Sequence, residues 1–239
     1  MAIRALALPK DLAQLEAMLI RTFQYPDNPE WGIQADEQDD IAREIKTLRK
    51  MWPVIRILQM VVPSLRDLLR GFVWEEDGRL GAVVIVQRSG KTNTWGVGIV
   101  GVLPEFRRRG LARKLLTKTL DDLRQRGAQH INLAVISKNV PAYALYKSLG
   151  FEHYSSVIDF DHRPEQAPAG IVIPQGYDEA PLSSMDWKSR YELERRITPD
   201  EVTKYVPLEM GHYRSPWALR CLVPIMNRLK KTKEKRFVY

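Results

Sequence analysis

A glycine-punctuated run of β-prone residues, Val97 to Val102, stops at Pro104, passes through a basic turn ending at Gly110, and opens into a helix. No other junction constrains the fold of this chain as tightly. The helix is amphipathic, because Leu111, Leu115, Leu116, Leu120 and Leu123 recur at the spacing of one helical face. A strand feeding a basic turn at a helix start is suited to holding phosphate. The first N–H groups of a helix lack partners within it, the helix dipole favours negative charge there, and glycine admits close backbone approach. Arg107, Arg108, Arg109 and Arg113 add positive charge. A solvated arginine cluster at the start of an ordinary helix would produce the same local pattern.

A second block comes after a helix stop at Gly127. Ile131 to Ile136 is a short apolar run of strand type, and Asn139 to Phe151 reads as a helix with its caps. Pro141 suits the first turn, Gly150 suits the left-handed position after the end, and Ala142, Leu145, Tyr146 and Leu149 share one face. The order Arg107-x-x-Gly110-x-Ala112, followed by Asn139…Ala142…Leu145-Tyr146…Gly150-Phe151, resembles the two conserved blocks of the GNAT superfamily of N-acetyltransferases. The resemblance covers roughly residues 1 to 160.

That resemblance implies an α/β (α+β) fold. The sheet is expected to be mixed, mostly antiparallel and twisted, flanked by helices, with a V-shaped splay between two central strands ending near Val102 and Ile136. It also implies acetyl-CoA as co-substrate. The backbone of Val100, Gly101 and Val102 would follow the pantetheine arm. The loop carrying Arg107, Arg108, Arg109, Gly110, Leu111, Ala112 and Arg113 would hold the pyrophosphate, and Asn139 and Ala142 would meet the CoA arm. Tyr146 matches the family's general acid to the departing thiolate, and a backbone N–H near Val102 would stabilise the oxyanion. The implied reaction is direct acetyl transfer to an amine acceptor in a ternary complex, without a covalent intermediate and without metal.

Each of these positions also has a structural reading. Gly96, Gly98 and Gly101 fit the close approach of a ligand, and equally a bulge or twist. Asn139 fits an N-cap. Tyr146 fits a core aromatic on spacing alone. The chain departs from the family pattern at Ala134, where several protein-acetylating members carry a glutamate, and no Asp or Glu lies between Lys91 and Val102. A base must then come from elsewhere, or water must take the proton. Glu75, Glu76, Glu105, His130 and His153 are the titratable candidates.

Against 29 acidic residues stand 37 Lys and Arg, giving a net charge of +8 spread along the chain without a recognisable nucleic-acid motif. A nucleic-acid-binding protein is therefore a distant rival, and a non-catalytic acyl-CoA-binding module a nearer one. The single cysteine, Cys221, and four scattered histidines offer neither a disulfide nor a metal motif. The start, Met1 to Pro9, reads as a first strand with Pro9 opening a helix along Leu12, Leu15, Leu19 and Phe23, and not as a signal peptide. With no apolar run of membrane-spanning length, a cytoplasmic protein is expected. Dimers are common in the family, so a homodimer is compatible with the resemblance.

Residues 24 to 70 form a long segment rich in Trp, Met and Leu, opening with the turn-rich stretch Tyr25 to Trp31. The resemblance implies that it forms the acceptor side of the cleft, either as extra core covering the sheet or as a roomy, partly apolar acceptor pocket. A helix along Ile41, Ile45, Leu48 and Trp52 is expected there, with Pro53 and Pro63 dividing the apolar stretch beyond it into shorter helices. Asp77-Gly78 joins the strands Gly71–Glu76 and Arg79–Gln87 as a hairpin. The expected organisation is an acetyltransferase domain over 1–163 and a linker with a mainly helical region over 164–239. Helices are expected at Trp187–Ile197, Pro199–Tyr205 and Ala218–Leu229, and Lys230–Arg236 reads as a solvated connector. Pro224 to Tyr239 echoes Pro63 to Trp74, as the opening of an incomplete second repeat would, or by chance over a few apolar positions.

Overall fold

The computed structural model describes residues 2–31, 35–61, 69–89, 92–158, 175–176, 180–181, 186–213 and 237–238. The chain divides into two compact units, Met1–Glu152 and His153–Tyr239.

The first unit is built on a five-stranded sheet in the order β1-β2-β3-β4-β5. Its strands are β1 (Ala2–Ala5), β2 (Arg70–Glu76), β3 (Arg79–Arg88), β4 (Thr94–Val102) and β5 (His130–Leu133). The first four pair antiparallel and β5 joins β4 in parallel, which is the mixed, mostly antiparallel sheet expected. Asp77 and Gly78 both take positive φ, 52° and 76°, as a tight hairpin between β2 and β3 requires. Every residue of β3 from Leu80 to Val86 is buried, so the sheet is covered on both faces.

Two helices supply much of that cover. Helix α1 (Leu12–Thr22) buries Leu12, Leu15, Met18, Leu19 and Thr22. Helix α3 (Leu111–Gln125) buries Leu111, Leu115, Leu116, Thr119, Leu120 and Leu123, the face expected from its leucine spacing. Asp11 precedes α1 and is almost fully buried, where it accepts from Arg4 Nη1 at 2.7 Å, Arg4 Nη2 at 2.9 Å and the Ala7 N–H at 2.7 Å. Burial pushes its carboxyl up, but Arg4 and the Ala7 N–H outweigh burial and hold it below the ordinary carboxylate range. Arg4 also reaches Glu75 on β2, so one guanidinium ties β1, β2 and the start of α1 together.

Helix α2 (Ala35–Val61) runs through Pro53 instead of stopping at it. A proline removes one backbone donor and crowds the carbonyl four residues earlier. A long helix keeps its remaining bonds on both sides, and the buried Trp52 anchors the turn beside the proline. Pro63 lies outside the described residues. β5 ends at Leu133, short of the expected Ile136, because its ladder to β4 ends at Val97↔Leu133. Helix α4 (Val140–Ser148) closes the unit, with Gly150 at φ 89° after its end.

In the second unit, α5 (Trp187–Ile197) starts where expected, capped by Asp186, which accepts the Ser189 N–H at 3.3 Å. Helix α6 (Asp200–Thr203) is shorter than the expected Pro199–Tyr205 helix, because Pro199 serves as its N-cap and Lys204 as its C-cap. A further short helix, α7 (Met210–Tyr213), sets Tyr213 edge-on to Tyr191 at 5.5 Å. Strands β6 (Ala180–Pro181) and β7 (Phe237–Val238) pair antiparallel. Ala218–Leu229, Cys221, Lys230–Arg236 and the Pro224 end of the sequence echo lie outside the described residues. No helix among the described residues is long and apolar enough to cross a membrane.

Candidate active site

Strands β4 and β5 run side by side from Thr94↔His130 to Val97↔Leu133 and then separate. At the same point the ladder between β3 and β4 slips: Val86 faces Val97 while Ile85 faces Ile99, leaving Gly98 as the extra residue of a bulge. Beyond the slip, Gly98, Ile99 and Val100 on β4 and Ala134, Val135 and Ile136 after β5 line a cleft of about 610 Å³. The cleft is the local consequence of a parallel pair that stops pairing while one strand continues.

The basic loop reaches this cleft. Arg107, Arg108 and the run Gly110 to Arg113 line it. Gly110 sits at the N-cap of α3 in the left-handed region at φ 73°, with open space where a Cβ would project. Arg108 also takes a left-handed φ, of 61°. No side chain caps α3, and Lys114 N–H donates to the Gly110 carbonyl at 3.1 Å as the first bond of the helix. The N–H groups of Leu111, Ala112 and Arg113 therefore have no acceptor among the described residues.

Helix α4 lines the cleft with Pro141, Ala142, Leu145 and Tyr146, and Asn139 lies just before it. Its start is capped internally. The Asn139 side chain accepts the Ala142 N–H at 3.2 Å, and the Asn139 carbonyl accepts the Tyr143 N–H at 3.0 Å. Tyr146 is half-buried, and burial, with a smaller effect from Tyr25, pushes its phenol up to about 12. Its ring meets Phe151 edge-on at 6.1 Å.

Several expected residues are used differently. Gly101 is absent from the cleft lining: it faces α1, where a Cβ would come 2.8 Å from Thr22 Cγ2. Arg109 is also absent from the lining, its guanidinium lying 4.9 Å from the Phe106 ring and 3.6 Å from Glu76. Arg107 turns its side chain back to carbonyls, donating to Thr22 O at 2.9 Å and to Gln24 O and Val102 O at 3.3 Å. It also lies 4.3 Å over the Tyr25 ring.

None of the candidate bases lines the cleft. Glu75 is held by Arg4, Glu76 pairs with Arg109, and Glu105 pairs with Arg21 at 3.2 Å and Arg79 at 3.4 Å. Glu105's own N–H, and then those arginines, hold its carboxyl below the ordinary range. His130 begins β5, and His153 belongs to the second unit, where its ring nitrogen lies 2.9 Å from Ser155 O. Among the described residues no group of three His, Cys, Asp or Glu could hold a metal. Sequence reasoning did not single out the aromatic side chains Phe23, Tyr25 and Trp31, which also line the cleft. The resemblance placed the loop on the acceptor side and the leucine spacing placed Phe23 on the face of α1, but no local pattern shows which of these side chains reach the cleft.

A split parallel pair with an uncapped, basic helix start at its edge forms an open α/β cleft with unpartnered backbone donors on one wall. The sequence profile described as the acetyltransferase (GNAT) family matches residues 20–151, and the chain belongs to that family. A mycothiol acetyltransferase of Thermobifida fusca is 41% identical over 70 residues, which is 29% of this chain and 22% of that protein. A ribosomal protein bS18-alanine N-acetyltransferase of Salmonella typhimurium is 48% identical over 52 residues, 22% of this chain and 35% of that protein. An N-alpha-acetyltransferase 30 of Schizosaccharomyces pombe is 34% identical over 102 residues, 42% of this chain and 68% of that protein. The first two matches thus span about a fifth and a third of those relatives' lengths.

Proposed function

We propose that this chain transfers the acetyl group of acetyl-CoA directly to an amine acceptor, in a ternary complex, with Tyr146 placed at the departing thiolate. The observation that carries this reading is the conjunction in one cleft of the β4–β5 split, the three unpartnered N–H groups at the start of α3, and the Tyr146 phenol. The pyrophosphate takes those N–H groups, with Arg108 and Arg113 beside it. The pantetheine arm follows the Gly98–Val100 edge of β4, with Val102 further along. Asn139 offers its amide nitrogen, since its oxygen is engaged as a cap. Arg107 supports the loop instead of supplying phosphate charge, because its donors are taken by three carbonyls.

The amine nitrogen attacks the thioester carbonyl carbon, the C–N bond forms and the C–S bond breaks. The nitrogen loses one proton and the sulfur gains one. A phenol at about 12 stays protonated through the neutral range, so Tyr146 is always present as a donor. Against a thiol near its ordinary pKa of about 8.5, full transfer from that phenol runs uphill. Tyr146 therefore stabilises the developing thiolate as a hydrogen-bond donor, and any proton it gives up returns from the amine. Among the described residues no carboxylate or imidazole lines the cleft, so on this reading the acceptor enters as the neutral amine or loses its proton to water.

Two measurements test the reading. Acetyl-CoA binding is followed by calorimetry, and thiol release is followed with a panel of amines from pH 6 to 11. Tyr146→Phe is expected to cut kcat about 100-fold and to leave the acetyl-CoA Kd within about twofold. The wild-type rate should rise with pH as the acceptor deprotonates, with no descending limb below about pH 10, because the raised Tyr146 pKa keeps the donor protonated there. A descending limb near pH 8, or an undiminished Tyr146→Phe enzyme, removes Tyr146 from the chemistry. Tight acetyl-CoA binding without turnover on any amine would favour a non-catalytic acyl-CoA-binding module.

A further inference from the structure

A second hollow of about 290 Å³ lies beside the cleft, and Ile99 is a wall of both. The described residues of its lining are all aliphatic and include Leu12, Leu15 and Leu19 from α1 and Ile45 and Leu48 from α2. A volume of ~150 Å³ between aliphatic side chains is enough to take up a benzene ring. Ile99 follows the Gly98 bulge, at the place where β5 leaves β4.

We propose that this hollow receives the aliphatic tail of an acyl group longer than acetyl, so that the chain accepts medium-chain acyl-CoA donors as well. The inference rests on the reading of the cleft as an acyl-CoA site. That reading runs the pantetheine arm along Gly98–Val100, which carries the arm and its acyl group past Ile99, the wall shared with the hollow. Among the described residues of the lining, none has a polar side chain that could answer the amide or ammonium groups of an acceptor. An unsubstituted hydrocarbon chain is the part of the reaction that matches it, while the aromatic side chains Phe23, Tyr25 and Trp31 line the cleft itself.

Calorimetry of the full chain with acetyl-, butyryl- and hexanoyl-CoA tests the proposal. Burying each methylene is expected to tighten binding about fourfold, so affinity should rise at least tenfold from acetyl to butyryl and again to hexanoyl. Leu48→Trp fills the hollow from a half-buried position on α2 and should flatten the series to within about threefold. Ile45→Trp does the same from the previous turn and stands in if the first variant does not fold. A flat wild-type series with acetyl-CoA still bound overturns this inference and leaves the cleft reading intact. A series as steep in the folded tryptophan variants as in wild type also overturns it. So does a chain-length dependence shown by alkylamines up to hexylamine and not by the acyl-CoA esters, which would assign the hollow to the acceptor. Failure to bind any CoA ester overturns the cleft reading, and this inference with it.

Discussion

Helices α3 and α4 open onto the same cleft and begin in opposite ways. Before α3 stands Gly110, left-handed and without a side chain, so three N–H groups are left to whatever enters. Before α4 stands Asn139, whose side-chain oxygen takes the Ala142 N–H, while Pro141 has no N–H to offer. The positive end of a helix dipole is common to both. The difference is whether the chain has already answered its own donors. An anion is drawn to the start that has not, which is why the pyrophosphate is assigned to α3.

The contrast can be broken most forcefully at Gly110. Gly110→Asp puts a carboxylate at the start of α3, in a backbone conformation that aspartate tolerates and with open space around the new Cβ. Acetyl-CoA affinity should fall about 100-fold, close to 2.7 kcal/mol, while the thermal midpoint moves by only a few degrees. A loss under threefold in calorimetry would place the phosphates elsewhere. Asn139→Ala acts in the reverse sense by uncapping α4. It should cost about 1 kcal/mol of stability in urea unfolding and reduce acetyl-CoA affinity less than tenfold. A loss as large as that of Gly110→Asp would mean that both helix starts bind the ligand alike. The smallest effect is expected at Ser148, whose hydroxyl accepts from Arg113 at 2.8 Å and links the start of α3 to the end of α4. This bond is exposed, so Ser148→Ala should change stability by about 0.5 kcal/mol or less and leave affinity within twofold. A fivefold loss would show that the link sets the spacing of the two helices.

Most of the features legible in the sequence were local. The leucine face of α3, the Asp77-Gly78 turn, the left-handed Gly150 and the Asn139 cap are each written within a few residues, by spacing or by a required φ. The cleft itself was legible through the order of two short blocks. The features that could not be read depend on parts distant in sequence. Gly101 was legible as a place for close backbone approach, but not that α1 approaches there too, where an added Cβ would come 2.8 Å from Thr22 Cγ2. Arg109 looked like phosphate charge, but Glu76 on β2 lies within reach of it. Pro53 read as a stop, since a local rule cannot weigh the length of helix on either side. The aliphatic hollow is assembled from α1, α2, β3 and β4, and no window of sequence contains it.

Arg107 carries a consequence for how this chain can vary. Its planar fork is spent on the last carbonyl of α1, on the loop after that helix, and on the end of β4, with Tyr25 stacked beneath. Its neighbour Arg109 is held by one carboxylate, Glu76, whereas Arg107 is held by three carbonyls and a ring. Lysine keeps that charge but has a single ammonium, which cannot span three divergent carbonyls and an aromatic face. Position 107 is therefore constrained by shape, and a substitution that looks neutral in an alignment would detach the loop from the end of α1.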